Sequence, residues 1–171
     1  ADNTVIRYVM YAKNASSYAQ IIYFDDGKIK FAARSSGGYK RWEFTITIGD
    51  FVNNWKHVHI TWNGNFSSNP SILIDNSSLG SPAATAGTAT GTTYLAPDGF
   101  VFFDHNQSNP AYELAGRLQF FHIFGISVVG GSVYNSGTPT FASSGHLLDF
   151  WRMGNEPQFV NTPHESSIEN S

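Results

Sequence analysis

The residues of this chain predict an all-β fold, with two antiparallel sheets stacked as a sandwich or jelly roll. Three observations lead there. Charged residues make up only 13 % of the chain, about half the ~25 % usual in globular domains, whereas solvated helices need many of them. Aromatic residues reach 15 %, with 14 Phe, 8 Tyr and 4 Trp, and these side chains favour pleated, half-buried surfaces. Apolar and polar residues alternate with period two in several segments, and no segment keeps a helical period.

The elements follow in order. Residues 5–12 and 18–24 read as strands, joined by the polar turn Lys13-Asn14-Ala15-Ser16-Ser17. Asp25-Asp26-Gly27 is a hairpin signal, because Gly takes positive φ at little cost. Residues 28–34 place Ile29, Phe31 and Ala33 on one face, and Ser35-Ser36-Gly37-Gly38 turns the chain again. Residues 40–48 set Trp42, Phe44, Ile46 and Ile48 on a dry face, with Arg41, Glu43, Thr45 and Thr47 on a wet one. Residues 55–62 point Val58, Ile60 and Trp62 one way and His57, His59 and Thr61 the other. Residues 71–75 form a further strand. The Gly-, Ala- and Thr-rich stretch 80–98 reads as a long connection, with ordering against the sheet as the alternative. Residues 99–104 and 115–124 carry aromatics on both faces, as central strands do. Residues 146–152 are a last apolar segment, and the chain from Glu156 is a polar tail. About nine strands at this spacing suit a sandwich or jelly roll.

Composition narrows the function. A net charge of −3, with Lys40-Arg41 the densest basic pair, argues against a nucleic-acid or anionic-membrane surface. No apolar run approaches the ~20 residues of a membrane helix. The absence of Cys removes disulfides and thiolate metal sites. The chain opens Ala1-Asp2-Asn3-Thr4, compatible with a processed product or a part of a longer polypeptide. N-x-S/T triplets stand at Asn14, Asn65 and Asn76, a pattern common by chance in Asn- and Ser-rich chains.

Two runs resemble known families. Trp55-Lys56-His57-Val58-His59-Ile60-Thr61-Trp62-Asn63-Gly64, followed by Ile72-Leu73-Ile74-Asp75, resembles the W-x-H-V-x-x-T-aromatic strand and its successor in laminin-G-like domains. Those domains belong to the concanavalin A-like jelly rolls. Residues 26–31 match the preceding hairpin and residues 115–121 the late strand. Asn76 stands where that family usually has Gly. The run Val133-Tyr134-Asn135-Ser136-Gly137-Thr138-Pro139, then residues 147–155 (LLDFWRMGN), is similar to an extension of laminin-G-like domains in tailed-phage structural proteins. Asn155 replaces that motif's Asp. The resemblance implies a sandwich over 1–132, an extension packed on it over 133–155, and a tail over 156–171. It also implies a virion protein, a capsid decoration or a head or tail appendage. Its expected partners are other virion subunits and copies of itself, with a carbohydrate-binding module as the alternative.

The search for chemistry favours binding over catalysis. Retaining glycosidases need two carboxyls about 5 Å apart. Among the 13 acidic residues no two are separated by two positions, so a same-strand pair is absent. A pair assembled from separate strands stays open. His57 and His59 share a strand face, where two imidazoles can meet one metal, but family packing is the favoured reading. Asp104, Asn106 and Asn109 are candidate ligand-binding residues, with oxygens suited to Ca²⁺. The same residue types are ordinary turn formers, so no catalytic residue, metal or cofactor is expected. Trp42, Trp55, Trp62 and Trp151 offer rings for sugar stacking, but a simple structural role is favoured for each, core packing in the case of Trp42 and Trp62. Trp151 would anchor the extension, where Arg152 can add a cation–π contact or salt bridge.

Overall fold

The computed structural model describes residues 6–15, 17–52 and 54–102, and the backbone of four later strands. The chain falls into two units, Ala1–Ala115 and Gly116–Ser171. The expected boundaries after residues 132 and 155 lie outside the described residues.

In the first unit, β1 (Arg7–Asn14), β2 (Ser17–Asp25), β3 (Lys28–Ser35) and β4 (Gly38–Thr45) form an antiparallel meander. A 3₁₀ turn (Ile48–Phe51) leads to β5 (Val58–Thr61), β6 (Ser71–Ile74) and β7 (Ser77–Ser78), which make a three-stranded antiparallel sheet. The chain then returns through β8 (Ala84–Gly87) and β9 (Gly99–Phe102) to the first sheet. Its strand order is β8-β4-β3-β2-β1-β9. The segment read as a long connection therefore contains an edge strand, β8, paired antiparallel with β4.

Turn chemistry pins the register. Asp26 and Gly27 take φ of 50° and 66° between the paired residues Asp25 and Lys28, the left-handed pair that suits a two-residue hairpin. Asp75 and Asn76 repeat it at 50° and 66° between Ile74 and Ser77. Asn is the non-glycine residue that tolerates this region best, which explains how it can stand where Gly is usual. The β1–β2 turn is two residues long rather than five. Ala15 adopts a φ of 45° there, and its N–H donates to Asp98 Oδ2 at 2.8 Å.

The two sheets bury one core. Ile29, Phe31 and Ala33 of β3 and Trp42 and Phe44 of β4 meet Ile72 of β6, with Val58, Ile60 and Ile74 packed alongside. Phe66, from the loop after β5, is fully buried and stacks at 6.4 Å from Trp42. Burying each such side chain contributes about 1.5–3 kcal/mol. The Trp62 indole donates to Asn65 O at 3.1 Å, so this loop is tied to the ring beside it. The dry face read over 40–48 holds for Trp42 and Phe44. The strand itself stops at Thr45, and Ile46 and Ile48 pack on the core from the turn that follows.

In the second unit, β10 (Phe120–Phe124), β11 (Tyr134–Asn135), β12 (Thr138–Pro139) and β13 (Leu147–Arg152) form two antiparallel pairs, β10 with β13 and β11 with β12. Of residues 115–124, read as a late strand, Phe120–Phe124 form β10 and pair with the last apolar segment.

Candidate functional site

The register of β1 to β4 assembles a second face on the six-stranded sheet, opposite the core. One row runs Tyr8, Tyr23, Lys30 and Glu43; the next runs Tyr11, Ile21, Ala32 and Arg41. Arg34 opposite Tyr39 and Asp25 opposite Lys28 flank them. Ile21, Tyr23 and Ala32 form a small buried cluster, with Tyr8, Tyr11 and Tyr18 packed against it. The tyrosine rings form a chain. Tyr23 and Tyr8 lie 5.7 Å apart, Tyr8 and Tyr11 6.1 Å, and Tyr11 and Tyr18 6.1 Å.

Cations cover the outer rings. The Arg34 guanidinium sits 5.0 Å from the centroid of Tyr18, and Lys30 Nζ 5.9 Å from that of Tyr23. Burial pushes the Tyr23 phenol up to about 12, with Arg41 offsetting part of the rise. Burial also raises Tyr11 and Tyr18, against the opposing charge of Arg34. All three phenols are therefore neutral hydrogen-bonding groups at neutral pH.

The two carboxylates on this face are held by cations. Lys30 Nζ lies 2.6 Å from Asp25 Oδ2 and 3.8 Å from Glu43 Oε1. Lys28 reaches Glu43 Oε2 at 3.2 Å and Arg41 reaches Oε1 at 2.7 Å. Burial alone would raise the Glu43 carboxyl. The hydrogen bond from Lys28 and the charges of Lys30 and Arg41 outweigh it and hold the group below its ordinary value. Burial likewise works against the Arg41 charge, while Tyr23 and Glu43 more than offset it, so its pKa is raised. Asp25 of β2 and Glu43 of β4 share the Lys30 ammonium of the strand between them. Among the described residues Lys28, Lys30, Arg34 and Arg41 outnumber Asp25 and Glu43 on this face, on a chain of net charge −3.

The outer face of the three-stranded sheet carries His57, His59 and Thr61. The two imidazoles are 6.3 Å apart, and His59 Nε2 lies 2.9 Å from Thr61 Oγ1. His57 is held below its ordinary pKa by burial and by His59, with Asp75 acting the other way. Asp75 closes the end of the hairpin: its Oδ1 accepts the His57 N–H at 2.9 Å and its Oδ2 pairs with Lys56 at 2.7 Å. Among the described residues no group of three potential metal ligands comes together. Asp104, Asn106 and Asn109 lie outside the described residues.

The tryptophans separate by exposure. Trp42 is fully buried, Trp62 packs on the core, and Trp55 is 59 % exposed. The backbone alone is described for β13, which carries Trp151 and Arg152. Sequence reasoning missed the tyrosine face. Its only signal was four Tyr in the first two strands, and their meeting depends on the cross-strand register. Compared with known proteins, the chain matches no family model, no curated protein and no solved structure.

Proposed function

We propose that this chain is a non-enzymatic structural protein of a tailed-phage virion, a capsid decoration or a head or tail appendage. The fold behind this reading is a laminin-G-like jelly roll. The return of β9 to the side of β1, after the chain has visited the second sheet, supports Greek-key connectivity of that type. The observation that carries the non-catalytic part is Lys30 lodged between Asp25 and Glu43. Among the described residues these two carboxylates are tied into an ion-pair network with Lys28, Lys30 and Arg41. The virion part rests on the similarity of residues 133–139 and 147–155 to phage structural extensions. Tyr and Arg are the residues in which binding energy concentrates at interfaces, so the tyrosine face suits attachment to other virion subunits or to further copies of the chain. Many such contacts on a lattice hold firmly even when each is weak. Mass spectrometry of purified particles of the virus encoding the chain tests this. The chain is expected in fixed stoichiometry with the capsid protein, and its absence from the particle sinks the proposal.

A second reading is a carbohydrate-binding module that mediates surface attachment. Exposed Trp55 favours it. Binding to a glycan array by the purified chain checks it, and a blank array removes it.

A further inference from the structure

We infer that Asn63 is a self-modification site, where the Gly64 amide nitrogen displaces the side-chain amide and asparagine becomes aspartate or isoaspartate. Asn63-Gly64 is the one Asn-Gly pair in the chain, and the fold requires its glycine. Gly64 takes a φ of 77°, and a Cβ there would stand 3.0 Å from the Tyr94 ring. Position 64 is therefore closed to larger residues, and its nitrogen has no side chain of its own to shield it from Asn63.

The loop brings the parts of the reaction together. Asn63 is exposed. Its Oδ1 accepts the Asn65 N–H at 3.0 Å, which polarises the side-chain carbonyl and steadies the oxyanion formed on attack. Its Nδ2 donates to Ser68 Oγ at 3.4 Å, and that hydroxyl can return a proton to the departing nitrogen. Among the described residues nothing accepts the Gly64 N–H, so the nucleophile is not engaged elsewhere. The other described asparagines lack this set. Asn14 and Asn54 give their Nδ2 to Ala96 O and Val52 O, and their following residues are Ala15 and Trp55. Asn65, Asn69 and Asn76 precede Phe66, Pro70 and Ser77.

Water is the only co-reactant. Gly64 N loses its proton to water and bonds to Asn63 Cγ. The Cγ–Nδ2 bond breaks, the leaving nitrogen gains a proton through Ser68 Oγ, and ammonia departs from a cyclic imide. Water then opens the imide at one of its two carbonyls. Opening at Cγ gives aspartate. Opening at the main-chain carbonyl gives isoaspartate, whose backbone runs on through Cβ and Cγ. That lengthened link falls just ahead of Phe66, which is fully buried, stacks on Trp42 and donates its N–H to Gly91 O at 2.8 Å. The isoaspartate product therefore loosens the seat of a core ring.

The test is peptide mapping by mass spectrometry of the full chain aged at mildly alkaline pH, once folded and once in guanidinium chloride. The folded chain is expected to convert Asn63 to both products ahead of every other asparagine. Ser68→Ala should slow the folded conversion roughly tenfold and leave the denatured rate unchanged. Asn63→Ser keeps a side-chain oxygen for the Asn65 N–H and should yield no acidic species from this loop. Ser68 and Asn63 lie outside the core, so both variants should fold, as circular dichroism will report. The isolated isoaspartate form should unfold at lower urea than the parent. If Asn63 converts in guanidinium chloride but stays intact in the folded chain, the loop protects it and the inference is overturned. Conversion of folded Ser68→Ala at the parent rate overturns the role of Ser68, and an unchanged urea midpoint overturns the loosening of Phe66.

Discussion

Gly87 passes directly against Tyr39, so closely that a Cβ at position 87 would overlap the Tyr39 carbonyl oxygen and backbone. Its φ of 106° is also one that L side chains rarely adopt. The edge strand β8 therefore meets β4 only because residue 87 has no side chain. Gly87→Ala should cost about 2–3 kcal/mol through strain and the displaced backbone. Urea unfolding measures it, and an unchanged midpoint would refute the close approach.

Glu43 contributes to the acid limb of stability, alongside Asp75, whose carboxyl burial would raise but Lys56 and the His57 N–H also hold below its ordinary value. The Glu43 carboxyl is depressed below the ordinary value of 4.5, so its contribution is complete above that value and fades as pH falls through the folded one. The parent chain should lose stability below about pH 4.5, and Glu43→Gln should flatten that part of the profile. The same substitution leaves Lys28 and Arg41 short of a carboxylate and should cost about 1–3 kcal/mol at neutral pH. Thermal unfolding from pH 3 to 7 checks both.

Tyr23 contributes to the alkaline limb, together with Tyr11 and Tyr18. The folded pKa of Tyr23 is raised to about 12 above an ordinary value near 10. The stabilisation is full below the ordinary value and disappears as pH rises through the raised one. Spectrophotometric titration should show a late phenolate that vanishes in Tyr23→Phe. That variant should also unfold less readily between pH 10 and 12; equal alkaline sensitivity would assign the limb to other groups.

The Asp75-Asn76 turn offers a conformational test. Asn76→Gly should change stability by less than about 0.5 kcal/mol, because Gly takes the same φ freely. Asn76→Val should cost about 1–2 kcal/mol, because a β-branched residue resists positive φ. Equal midpoints for both variants would argue against the left-handed turn.

How much was legible in the sequence varies by residue. Period-two alternation found the burial of Trp42, Phe44, Ile29 and Phe31, because a face against a core demands apolar side chains. Asp26-Gly27 announced its turn because few residue pairs accept two positive φ values. β8 was not legible as a strand, only as a stretch that could order against the sheet, since Ala84, Thr85 and Ala86 show no apolar alternation and the strand is placed by Gly87 against Tyr39. Glu43 read as wet, yet it is 6 % exposed. Its burial depends on Lys28, Lys30 and Arg41, which only the strand register brings to it. The tyrosine face was hidden for the same reason, as each strand alone shows one or two rings and only pairing makes a chain of four. Asp104, Asn106 and Asn109 fall outside the described residues, so those oxygens have no geometry to set beside the expectation.

β3 has strands on both flanks and five successive buried residues, Ile29 to Ala33. Its amide protons are shielded from water above, below and to either side. They should exchange with deuterium only when the whole unit opens, and so report its global free energy of unfolding. The two short hairpins around it close small loops, which is cheap in chain entropy. A segment that is last to open and inexpensive to form is the natural place for ordering of this chain to begin.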